Sequence, residues 1–191
     1  PDLVVLSKYP INDVYEINGS GAFVIDLPEG LTDEFLFINA HLKCCDNDPI
    51  RQAQVNDIMK YITVLKTRNK LKPFTPIFIA GDMNFVGDYK QVLTLIEGKL
   101  KEKTDERVSP DWNSTAFANI YAPVPNMPVK FTWNDPESEY SPGKLDYVIY
   151  SDDVADILNK FVLFTPTIQK RVLKKHNLFT EDAIKVSDHF P

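Results

Sequence analysis

Four short stretches of this chain set reactive side chains at the tips of apolar runs. "FINAHL" carries Asn39 and His41, "FIAGDMN" carries Asp82 and Asn84, "KLDYVIY" carries Asp146, and "SDH" carries Asp188 and His189. Carboxylates, amides and imidazoles delivered by rigid strands are how a reactive site is built on a scaffold. This mixture suits phosphoester hydrolysis. Carboxylate oxygens hold a hard cation such as Mg²⁺, which polarises a phosphoryl oxygen and steadies the leaving oxygen. An amide or imidazolium donates to the non-bridging oxygens, and a histidine backed by a carboxylate orients or deprotonates water. Taken singly, each motif has an ordinary explanation: Asp82 would cap a loop, Asn84 would make a turn, and His41 would be a satisfied interior imidazole. Four of them in order, each beside an apolar run, exceed what turn chemistry supplies.

The elements that must position these residues are read from apolar patterning. "DLVVLS", "AFVIDL", "EFLFINAHL", "PIFIAGD", "LDYVIYS" and "FVLFT" read as strands, with "KYPINDVYEINGSG" as a loop rich in turn formers. Uninterrupted apolar strands imply cover on both faces, hence a layered α/β structure. One helix is expected after Asp48-Pro49, with Ile50, Val55, Ile58, Met59, Ile62 and Leu65 at helical spacing. A second is expected from near Asp88, burying Val92, Leu93, Leu95 and Ile96. Residues 99–142 are the least regular and are expected to wrap a site. There is no repeat, linker or low-complexity tract, so residues 1–191 read as a single domain.

Bulk properties narrow the function. Hydrophobic residues make up 43% and charged residues 25%, the balance of a globular protein. No apolar run reaches the length of a membrane span. The formal charge of −6 does not favour non-specific contact with a phosphate backbone, so nucleic acid is not the preferred partner. The two cysteines, Cys44 and Cys45, are adjacent; two free thiols in a small buried pair are expected, with no zinc spacing. Trp133 is expected in the core, Trp112 in the more exposed "SPDWNS", and His176 on the surface. Compartment and oligomeric state are not legible.

"NAHL", "GDMN", "GKLDYVIYS" and "SDH", in this order, resemble the endonuclease/exonuclease/phosphatase superfamily with the deoxyribonuclease-I-like fold. "LSKYPI", "FTW", and Arg51 and Gln54 on the helix after the histidine strand are similar too, so the resemblance runs from Leu3 to Phe190. It implies a four-layer αββα sandwich, two face-to-face β-sheets flanked by helices. It also implies Mg²⁺-dependent phosphoester cleavage, with Mn²⁺ as the alternative, by in-line attack of water. Carried over by position, His189 lies beside the scissile phosphate and Asp146 orients it. Asp188 binds or positions the metal, and Asp82 orients the water. Asn84 holds a phosphate oxygen, while His41 and Asn39 contact the substrate. The family's principal metal-binding glutamate, and the strand before it, have no counterpart here, and Glu16, Glu29 and Glu34 do not follow a strand in the required place. The last strand is also without counterpart, so the domain reads as incomplete at both ends. The expected function is a metal-dependent phosphodiesterase. Alternatives are a nuclease acting on DNA or RNA, and an inactive member serving as a binding module because the glutamate is absent.

Overall fold

A computed structural model of the chain describes residues 3–30, 33–87, 89–100 and 108–190. The chain forms two compact units: residues 1–119 with 147–156, and residues 120–146 with 157–191.

The first unit is built on a six-stranded mixed sheet in the order β1-β2-β3-β4-β6-β5. Its strands are β1 (Ile11–Ile17), β2 (Ser20–Asp26), β3 (Glu34–His41), β4 (Ile77–Asp82), β5 (Ala118–Asn119) and β6 (Asp146–Tyr150). β1, β2 and β3 pair antiparallel, whereas β3 and β4 run parallel with His41 opposite Asp82. A parallel pair needs a crossover, and α1 (Asp48–Thr67) supplies it. Pro49 sits in the first turn, where its missing N–H costs nothing. Val55, Ile58, Met59, Ile62 and Leu65 of α1 join Ala22, Val24, Leu36, Ile38, Ile77 and Ile79 in one core. The period of two along each strand and of 3.6 along the helix brings these residues to a common face. The opposite sheet face is apolar as well: Phe35, Phe37, Phe78 and Val148 line an open hollow of about 600 Å³. α2 (Lys90–Glu97) buries Val92 and Leu95 and ends at Gly98 in a left-handed cap.

The α/β class expected from the sequence is present, with the described strands in a single sheet. Several local expectations change. "DLVVLS" is not a strand: its described residues 3–7 join no strand ladder, and Leu6 is exposed. "KYPINDVYEINGSG" is not all loop, because β1 lies inside it and turns through Asn18-Gly19 into β2. Asn-Gly between two strands is a strong hairpin signal, and the alternation in "INDVYEI" accompanied it. "FVLFT" runs into a 3₁₀ turn at Thr165–Thr167 instead of a strand. Ile50 is off the apolar stripe of α1 and exposed. The expected start of the second helix at Asp88, and part of the irregular stretch 99–142, fall outside the described residues.

Trp112 is not the exposed residue its surroundings suggested. Its indole N–H donates to the Thr75 carbonyl at 2.7 Å and Lys66 lies over its ring. Beside it, Asp111 is buried, and neither Asp111 Oδ2 nor Asp153 Oδ1 has a hydrogen-bond donor among the described residues. Burial, and then the adjoining Asp153 carboxyl, push the Asp111 carboxyl up to about 7. An unfolded aspartate titrates near ~4, so between about pH 4 and 7 the folded chain keeps a proton that the unfolded chain has lost. The associated stability is complete below that window and is lost as pH rises through it. Asp111→Asn removes the charge and leaves an amide donor for Asp153. The expected result is a melting temperature several degrees above wild type at about pH 8 and a flatter decline from about pH 5. Parallel wild-type and variant profiles across that range would refute a shared proton.

The second unit holds η1 (Thr165–Thr167), α3 (Lys170–Lys175) and α4 (Asp182–Val186). Its core is a cluster of Val124, Phe131, Val162 and Phe190, in which the Phe131, Phe164 and Phe190 rings meet edge to face at 4.9–5.8 Å. This aromatic packing holds the segment that ends on Asp188-His189.

Candidate active site

In the first unit the polar tips of β3 and β4 lie side by side. Parallel strands end their apolar runs at the same edge, and the register sets His41 opposite Asp82. Gly81 makes this approach feasible. Its φ is +135°, and a Cβ there would stand 2.0 Å from the Ala40 carbonyl oxygen. Asp82 Oδ2 lies 3.6 Å from His41 Nε2, with His41 open to solvent. The turn after β4 is closed by Asp82 itself, whose Oδ1 accepts the Asn84 backbone N–H at 2.9 Å. Asn84 takes a left-handed backbone (φ +49°), which asparagine tolerates.

The Asn84 side chain is buried and turned inward. Its Nδ2 donates to Asp82 Oδ2 at 2.9 Å and to the Leu42 carbonyl at 3.1 Å, so both amide hydrogens are used within the unit. Asn84 therefore holds the Asp82 carboxylate and the end of β3 in place. Asn39 faces a backbone group too, donating to the Val4 carbonyl at 3.3 Å. Glu34 lies at the other end of β3 from His41 and accepts from Thr75.

The loop between β3 and α1 is anchored from the helix. Arg51 is fully buried; its Nη1 donates to the Lys43 and Cys45 carbonyls at 2.8 and 2.7 Å. It also reaches Asp48 and Gln91. Gln54 Oε1 accepts the Lys43 N–H at 2.9 Å. The buried thiol pair expected from the sequence is not found, since Cys44 and Cys45 are both exposed.

In the second unit the histidine and its carboxylate meet. His189 Nδ1 lies 2.9 Å from Asp146 Oδ2, with both side chains about a third exposed, at 32% and 30%. Neighbouring Asp188 turns the other way, and its Oδ2 accepts the Trp133 indole N–H at 2.8 Å. That hydrogen bond holds the Asp188 carboxyl below its ordinary range, so it stays anionic. The frame for all three residues is "FTW". Thr132 Oγ1 accepts the backbone N–H groups of Leu145 and Asp146, while Phe190 N–H donates to the Thr132 carbonyl at 2.7 Å. Trp133 bridges backbone to backbone with both Gly143 and His189. Trp133, expected in the core, is only half-buried and together with Thr132 supports these three residues. A hydroxyl followed by an indole donor, ahead of "LDY", was the available signal. Two residues before Asp146, Lys144 lies 4.4 Å from the centre of the Tyr121 ring and donates to the Ile120 carbonyl. Burial, and then the charge of Lys130, push its ammonium down to about 8.

The chemistry on offer is specific. Asp82 supplies carboxylate oxygens locked by an amide. His189 is held through Nδ1 by the Asp146 carboxylate. Asp188 supplies a hard anionic oxygen. Carboxylate oxygens such as these suit a hard divalent cation and not a soft one.

No protein-family model and no curated protein sequence matches the chain. Solved structures do match in fold. A truncated TDP2 from Caenorhabditis elegans is similar over 97% of this chain and 65% of its own, with a TM-score of 0.55 at 17% identity. A β-hairpin deletion mutant of beta toxin from Staphylococcus aureus matches over 81% and 56%, with a TM-score of 0.51 at 16% identity. ANGEL2, described as a 2',3'-cyclic phosphatase in complex with adenosine-2',3'-vanadate, matches over 76% and 56%, with a TM-score of 0.50 at 16% identity. The chain thus spans between about half and two thirds of the length of these structures.

Proposed function

We propose that this chain, which has the deoxyribonuclease-I-like fold of those structures, is a metal-dependent phosphoesterase acting on phosphodiesters. The observation that carries this reading is the His189–Asp146 pair, an imidazole fixed by a carboxylate beside a second, anionic carboxylate on Asp188. Asp146 fixes the ring orientation and stabilises its protonated form, so that His189 Nε2 holds or releases a proton at a phosphoryl oxygen. Asp82, held by Asn84, accepts a proton or hydrogen bond from the attacking water. His41, exposed at its strand tip, donates to the substrate. Asp188 is the carboxylate whose oxygens suit Mg²⁺ or Mn²⁺. Such a cation supplies charge neutralisation for the phosphoryl group. In this reading Asn84 works through Asp82 and is a positioning residue.

Hydrolysis of bis-p-nitrophenyl phosphate is expected with Mg²⁺ or Mn²⁺ and is expected to vanish with a chelator. Asp82→Asn, which keeps the shape and removes the charge, should lower the rate by about 10²-fold or more, the scale of a lost general base. Full activity in the presence of chelator would exclude the metal-dependent reading. Plasmid DNA and lipid phosphodiesters, run side by side, separate the substrate classes. The formal charge of −6 supports a substrate other than long nucleic acid. Rapid plasmid cleavage that falls steeply with salt would reverse that preference.

A further inference from the structure

The segment between β3 and α1 carries a chemistry that phosphoester hydrolysis does not use. Cys44 and Cys45 are both exposed, and the Cys45 thiol donates to Cys44 Sγ at 2.7 Å. Cys45 sits in the left-handed region, at φ +66°, a conformation that costs an L-residue energy. Donation to Cys44 keeps the proton on Cys45 and pushes that thiol up from its ordinary range. Cys44 Sγ is the acceptor of the pair and is open to solvent.

The same loop is wired to the polar edge of the sheet. The carbonyls of Lys43 and Cys45 both accept from the buried Arg51 guanidinium, and the Cys44 carbonyl accepts from Asn47 Nδ2 at 3.0 Å. One residue earlier, the Leu42 carbonyl accepts from Asn84 Nδ2, and the Leu42 N–H donates to the Asp82 carbonyl at 3.0 Å. Any rotation of the Cys44–Cys45 peptide therefore pulls on carbonyls that Arg51 and Asn47 hold, a few bonds from the end of β3.

We propose that Cys44 and Cys45 form a reversible redox site, oxidised by a small-molecule disulfide to a vicinal disulfide that displaces the His41–Asp82–Asn84 edge. Cys44 gives up its proton to solvent, and its thiolate attacks one sulfur of the oxidant, expelling the other half as a thiolate. Cys45 then loses its proton and attacks Cys44 Sγ in the mixed disulfide, expelling the second half. One external disulfide is reduced to two thiols, and two protein thiols become one disulfide.

Neighbouring Cα atoms lie ~3.8 Å apart across a trans peptide, closer than the ~4.4 Å lower limit of ordinary disulfides. Ring closure therefore turns the intervening peptide, whose Cys44 carbonyl Asn47 holds, and with it the flanking Lys43 and Cys45 carbonyls that Arg51 holds. Exposed and strained disulfides are the labile ones, which makes the site reversible and not structural. The effect on turnover rests on the phosphoesterase reading; the thiol chemistry does not.

Reduced protein treated with oxidised glutathione is expected to lose two hydrogens in intact mass, to retain no glutathione, and to lose both titratable thiols. Cys44→Ser and Cys45→Ser should each retain one glutathione instead. Amide exchange across residues 42–51 is expected to quicken in the oxidised protein. Hydrolysis of bis-p-nitrophenyl phosphate should fall by about 10- to 100-fold, the scale of a catalytic group misplaced by ~1 Å, and recover with dithiothreitol. Retained glutathione in the wild type, a disulfide-linked dimer, or unchanged amide exchange after oxidation would overturn the proposal. A reduced protein with no hydrolytic activity would sink the phosphoesterase reading alone, because mass and exchange still decide the redox site.

Discussion

His189→Ala is expected to lower kcat by about 10²- to 10⁴-fold, the range that positioned acid–base groups contribute. The melting temperature should stay within a few degrees of wild type. The His189 ring is about a third exposed, so its removal opens no core cavity. Its backbone contacts with the "FTW" segment survive the substitution, because they use main-chain atoms. Asp146 is left with a lone carboxylate that is itself partly in water, where desolvation costs little. Asp146→Asn is the companion variant. It retains a side-chain oxygen in the same place but no charge, so it should slow turnover while leaving the melting temperature close to wild type. A parallel collapse of activity and stability in His189→Ala would assign the imidazole to packing instead of chemistry.

Arg51→Leu is expected to have the largest effect on folding. The side chain is fully buried, and its guanidinium is shared among the Lys43, Cys45 and Val86 carbonyls, Gln91 Oε1 and the Asp48 carboxylate. Leucine fills part of the volume but leaves those acceptors without donors. Removing one partner from a buried charged network costs about 3–5 kcal/mol. For a chain of this size that corresponds to a fall of roughly 10 °C in Tm. Lysine should not rescue it, since one ammonium cannot reach at once the Lys43 and Cys45 carbonyls served by Nη1, the Asp48 carboxylate served by Nη2 and the Gln91 Oε1 served by Nε. Thermal denaturation of Arg51→Leu and Arg51→Lys reads the effect directly. A melting temperature unchanged in both would show that water replaces the guanidinium at no cost, contrary to its complete burial.

How legible these features were depends on the range of the interactions that create them. β3 and β4 stood out because long apolar runs stop abruptly at Asn39–His41 and Gly81–Asp82. The helix after Asp48-Pro49 declared itself through local capping and spacing, signals contained within a few residues. "DLVVLS" looked equally strand-like. A strand, however, is completed by a ladder of backbone hydrogen bonds with a partner strand, and the described residues 3–7 form no such ladder. "INDVYEI" looked like loop and became β1, since Asn18-Gly19 folded it onto β2. Local composition cannot separate these two cases, because the deciding contact lies outside the segment.

Residue types and their order along the chain were enough to single out candidates, from His41 through Asp82 and Asp146 to His189. Side-chain chemistry is local, and His41 and Asp82 stand at the ends of the apolar runs of β3 and β4. Tertiary structure alone decided how each member is used. Asp146 and His189, separated by 43 positions, meet at 2.9 Å through a frame built by Thr132 and Trp133. Asn84, which by type could face a substrate, spends its amide on Asp82 and Leu42. Orientation depends on which donors and acceptors folding brings within ~3 Å, and that information is distributed over distant residues and not carried by any one motif.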